Sequence, residues 1–100
     1  MQAEVKSAVP AELAELRKQI DQIDAEIMGA LARRFAVTAR VGQLKAQHRL
    51  NSVDPVREQE KLQSLRNLAA ENGLNPDFIH SLFQHVFNEV VKNHRSFLDK

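Results

Sequence analysis

The sequence predicts an all-α protein of three helices, one long and two shorter. Ala, Leu, Glu, Gln, Lys and Arg fill most positions while Tyr and Trp are absent, a composition that favours helices over strands. Asp54-Pro55 and Asn75-Pro76 each pair a good N-cap residue with proline at the first helical position. Gly73, just before the second pair, suits a helix C-terminus. These signals divide the chain into helices from about Pro10 to Gln47, from Pro55 to about Asn72, and from Pro76 to near Leu98. Residues 1–9 are left as a short N-terminal extension, and 10–100 as one helical domain.

In the first helix, Leu13, Leu16, Ile20, Ile23, Ile27, Leu31, Thr38 and Val41 form one stripe at three- and four-residue spacing. About 37 helical residues at ~1.5 Å each span about 55 Å, whereas a compact domain of this size has a radius of gyration of only ~13 Å. Two shorter helices cannot cover that stripe. A second copy of the chain, its long helix running antiparallel, completes the core, so an intertwined helical homodimer is expected. A kink near Gly29 that folds the helix back is the competing reading, although the stripe passes Gly29 without a change of phase.

In the second helix Glu58, Leu62, Leu65 and Ala69 share a face, with Arg57 beside Glu58 in the first turn. In the third, Ile79, Leu82, Phe83, Val86, Val90 and Phe97 make a stripe that contains His94.

Several function classes fall away on composition. With 14 basic and 13 acidic residues, the chain lacks the broad positive field of a nucleic-acid binder. There is no cysteine, hence no disulfide, thiol nucleophile or thiolate metal site. Residues 1–10 contain no continuous apolar region, so neither a signal peptide nor a membrane span is expected, and a cytoplasmic location follows by default. His48, His80 and His85 show no metal-ligand spacing with carboxylates, and no glycine-rich phosphate loop or activated serine occurs. No metal or cofactor is expected.

Arg34 and Lys45 fall in the middle of the first helix's apolar stripe, with Arg17 on its flank. Charges that face a core must pair with carboxylates, snorkel to water, or line a cavity built for an anion. Asp54 is read first as a helix cap, and Glu58 as a complement to the helix dipole that also lies on the apolar face. His94 is read as a satisfied core or rim residue, or as a group acting in the same cleft. The chemistry on offer is cation-rich electrostatics with one carboxylate and one imidazole, which suits a small polycarboxylate.

The ordered set Leu16-Arg17-x-x-Ile20-Asp21-x-Ile23-Asp24, Ala32-Arg33-Arg34, Val41-Gly42-x-x-Lys45 and Asp54-Pro55-x-Arg57-Glu58 resembles the all-helical bacterial chorismate mutases, from about Leu13 to Leu98. The resemblance implies an intertwined dimer with two active sites that convert chorismate to prephenate for aromatic amino acid biosynthesis, without a cofactor. It assigns Arg17 to the site of the partner chain, and Arg34, Lys45, Asp54, Arg57 and Glu58 to the site of their own. Arg17 and Lys45 are 28 positions apart, about 42 Å on a straight helix, which agrees with that division. Two positions depart from the family pattern. Val90 stands where many relatives place a serine or threonine that contacts a substrate carboxylate, and His94 where they place a glutamine near the ether oxygen.

On this resemblance Lys45, Glu58 and His94 are the catalytic candidates, and Arg17, Arg34, Asp54, Arg57 and Val90 line the substrate. The alternatives are isochorismate-pyruvate lyase chemistry on the same scaffold and a non-catalytic helical interaction domain. The presence of Asp54, Arg57 and Glu58 resembles the mutases more than the lyases.

Overall fold

The computed structural model describes residues 10–51 and 53–98, and side chains as far as Arg95. The expected extension over residues 1–9 and the Phe97 side chain lie outside the described residues. Three helices are present, α1 (Ala11–Gln47), α2 (Pro55–Glu71) and α3 (Pro76–Leu98), and no strand occurs among the described residues. Each boundary falls within a residue of its expected place. α1 is a single helix of 37 residues that continues through Gly29, which overturns the fold-back reading.

The chain divides into two compact units, one ending at Arg34 and the other beginning at Phe35. The first unit consists of the N-terminal part of α1. Its apolar stripe is open, with Leu16, Ile20, Ile23 and Ile27 each about half exposed and Ile20 at 54%. Fully burying such a side chain is worth ~1.5–3 kcal/mol, so completing the burial of Leu13 and these four would contribute roughly 5 kcal/mol.

The second unit has its own core. α2 and α3 pack together and bury Leu62, Leu65 and Ala69 with Ile79, Val86 and Phe87. Phe83 and Phe87 meet edge to face at 6.3 Å, a favoured aromatic geometry. The turn between the two helices is closely specified. The Gly73 N–H donates to the Ala70 carbonyl at 3.1 Å and the Leu74 N–H to the Ala69 carbonyl at 2.8 Å, the paired bonds of a Schellman motif. Gly73 sits at φ +70°, where a side chain would be strained. Asn75 then caps α3, its Oδ1 accepting from the Asp77 N–H at 2.9 Å.

Arg66 ties the same end together. Its Nε–H donates to His80 Nδ1 at 3.0 Å and its Nη1 to Asp77 Oδ1 at 2.8 Å. His80 Nδ1 is thereby an acceptor, which leaves its Nε2–H to donate to Gln84 Oε1 at 3.1 Å.

Candidate active site

α1 ends just past Lys45. The Leu50 N–H donates to the Lys45 carbonyl at 2.7 Å and the Arg49 N–H to the Ala46 carbonyl at 3.2 Å, the same Schellman pairing that closes α2. Here the left-handed position is occupied by Arg49 at φ 56°, a conformation costing an ordinary residue ~1 kcal/mol. Lys45 therefore stands in the last, firmly closed turn of α1. It is half-buried, and no carboxylate among the described residues pairs with it.

Asp54, Arg57 and Glu58 come together as the opening turn of α2. Asp54 Oδ1 accepts from the Arg57 N–H at 3.1 Å, and the Asp54 carbonyl accepts from the Glu58 N–H at 3.0 Å. The cap role expected of Asp54 is therefore present. Asp54 and Arg57 are exposed, and Glu58 is half-buried. One turn beyond Glu58, on the same side of the helix, Leu62 is in the core.

His94 is only 4% exposed. Its Nε2 lies 2.9 Å from the main-chain carbonyl oxygen of Thr38. A carbonyl can only accept, so Nε2 carries the proton. The other ring nitrogen, Nδ1, is buried without a hydrogen-bond partner. His94 is thus only half satisfied, in contrast to His80, whose two nitrogens are both engaged. Val90, one turn earlier on α3, is half-buried.

The carbonyl of Thr38 was not among the groups expected from sequence. It also belongs to the α-helical ladder, in which its partner is the N–H of Gly42. Gly42 is buried. The Thr38 hydroxyl is turned onto its own helix, donating to the Phe35 carbonyl at 3.2 Å.

Arg17 and Arg34 belong to the first unit, Arg17 exposed and Arg34 half-buried. Phe87 and the Arg66–Asp77–His80 cluster are the other features missed from sequence.

The described residues form an all-helical chain with Lys45 in the last turn of its first helix, a capped Arg57-Glu58 turn opening the second and a buried, half-satisfied imidazole, His94, on the third. Residues 16–95 match the family model described as chorismate mutase type II, and the chain belongs to that family, a family of isomerases. Over 79 residues it is 38% identical to the T-protein of Enterobacter agglomerans, a match covering 79% of this chain and 21% of that protein. The T-protein of Haemophilus influenzae is 33% identical over 85 residues, 85% of this chain and 22% of the relative. The chorismate mutase of Methanocaldococcus jannaschii is 28% identical over 88 residues, which are 88% of this chain and 89% of that protein. The chain thus spans about a fifth of the length of the two T-proteins and nearly all of the archaeal mutase. Among the described residues no helix is long and apolar enough to cross a membrane.

Proposed function

We propose that the chain converts chorismate to prephenate in the cytoplasm, as a homodimer whose two sites each take Arg17 from the partner. The observation that carries this reading is the family match over residues 16–95, a stretch containing Arg17, Arg34, Lys45, Asp54, Arg57 and Glu58. The open stripe of Leu13, Leu16, Ile20, Ile23 and Ile27 supports the dimer, since a second copy supplies the matching surface.

The rearrangement is pericyclic. A C–O bond breaks as a C–C bond forms, so no nucleophile and no cofactor is needed. The protein has to hold a flexible dicarboxylate in a compact chair and stabilise the negative charge that grows on the ether oxygen. Arg34 and the partner's Arg17 clamp the two carboxylates, with Arg57 in support. Lys45 donates to the ether oxygen and a carboxylate, while Glu58 accepts from the ring hydroxyl, helped by the backbone at Asp54. A cation held in place before the reaction is worth most at the atom that gains charge, which makes Lys45 the principal catalytic residue.

Incubation with chorismate and, separately, with isochorismate tests the reaction by product identification. Prephenate from chorismate is expected. Pyruvate released from isochorismate would establish the lyase reaction instead, and no product from either would leave a helical interaction domain. The shared site has its own test, because inactive Arg17→Ala and Lys45→Ala chains should complement on mixing. One site of the heterodimer then has both residues intact. No recovered activity after demonstrated subunit exchange would refute the crossing of Arg17.

A further inference from the structure

Within the unit that begins at Phe35, the residues of α1 withdrawn from full exposure are Phe35, Thr38, Ala39, Gly42, Lys45 and Ala46. A spacing of three and four positions is one face of a helix. Val37, Val41 and Leu44, on the other side, are exposed. Lys45 therefore shares a covered face with Thr38, two turns further on, about 10 Å along a helix that runs unbroken between them.

His94 reaches that face from α3. The ring is 4% exposed, and its Nε2 lies 2.9 Å from the Thr38 carbonyl oxygen. A hydrogen bond of this length fixes direction as well as distance, because the N–H must point at the oxygen. Thr38 in turn cannot move without carrying Lys45. The ladder of α1 continues through the buried Gly42, and the helix is closed just past the lysine by the bonds from Leu50 to Lys45 and from Arg49 to Ala46. Loss of the contact at Thr38 is thus felt at Lys45 as a displacement of its helix.

We propose that His94 is a positioning residue for Lys45: donating from Nε2 to the Thr38 carbonyl, it holds the C-terminal end of α1 against α3 at the setting that places the Lys45 ammonium. That the ammonium then acts on the ether oxygen rests on the mutase reaction proposed above. A reacting group misplaced by ~1 Å can cost about a hundredfold in rate, so a bond that sets the helix matters without touching the substrate.

Two amide substitutions separate the ring nitrogens, since glutamine has the reach of Nε2 and asparagine that of Nδ1. In the free protein, NMR should detect a scalar coupling across the hydrogen bond between His94 Nε2 and the Thr38 carbonyl carbon. The Lys45 side-chain resonances should move in His94→Asn and return toward their wild-type positions in His94→Gln. Absence of the coupling, or unmoved Lys45 resonances in a folded His94→Asn protein, overturns the proposal without reference to any ligand. With chorismate, His94→Asn should lower kcat by about ten- to a hundredfold with KM little changed, and His94→Gln by less. Added to Lys45→Ala, His94→Asn should cost nothing further, because no lysine remains to be placed. A second loss in that double variant would mean that His94 either touches the reacting atoms or merely stabilises the fold, and refutes the positioning role. Greater activity in His94→Asn than in His94→Gln would mean that the ring works through Nδ1, with the same consequence. Absence of turnover in the wild type would remove the mutase reaction, while the coupling and the Lys45 resonances still decide whether His94 sets the lysine.

Discussion

The N-terminal part of α1 and the α2–α3 hairpin are built from similar residues and differ in what completes them. The hairpin closes on itself, with Leu62, Leu65, Ala69, Ile79, Val86 and Phe87 buried and both helices capped at the turn. The N-terminal stretch has an equally regular apolar stripe and leaves it open. Amphipathic periodicity therefore reports that a face will be covered, without saying by what. A second copy of the chain is the proposed cover for the stripe of this 37-residue helix.

Substituting both Ile20 and Ile23 with Asp should break this contrast most severely. Two charges on the stripe should remove about 5 kcal/mol or more of the association proposed for this face, and sedimentation at micromolar concentration should then find monomers. A dimer that survives would locate the interface elsewhere. Lys45→Ala asks instead about chemistry. A transition-state charge contact of ~4 kcal/mol corresponds to about a thousandfold in kcat, with folding and the state of association unchanged by circular dichroism and sedimentation, and near-normal turnover would refute the proposed role.

Leu65→Ala probes the closed core, where a large-to-small change typically costs about 2–5 kcal/mol. Chemical denaturation should show that loss, with the state of association by sedimentation hardly changed. The smallest effects concern the two matching helix ends. Gly73→Ala meets no atom within 4 Å, so its cost is the left-handed backbone alone, about 1 kcal/mol in thermal unfolding. Arg49→Gly relieves the same strain at the end of α1, less the entropy that glycine adds to the unfolded chain. The pair should thus shift Tm in opposite senses.

Where the sequence was explicit, local chemistry was the reason. Asp54-Pro55, Asn75-Pro76 and Gly73 act within a few residues of themselves, and the observed bonds fall where those residues put them. The end of α1 carries the same motif with Arg49 in place of glycine, and so gave no signal. Lys45, Glu58 and His94 were recognisable as polar residues on apolar faces, and all three are withdrawn from full exposure. The partner of His94 was not recognisable. It is a main-chain carbonyl 56 positions away, and every residue has one. The Arg66–Asp77–His80 cluster was hidden differently, since its members look like solvated charges until the turn brings α2 and α3 alongside.

The hairpin's ties also bear on how the protein reaches its folded state. Arg66 meets Asp77 and His80 across only 11 and 14 positions, and contacts so close in sequence form quickly, in microseconds to milliseconds for helical proteins of low contact order. The open stripe of α1 obeys a different clock. If a second chain covers it, its burial awaits a bimolecular encounter, so refolding should show a fast phase indifferent to dilution and a slower one that lengthens with it.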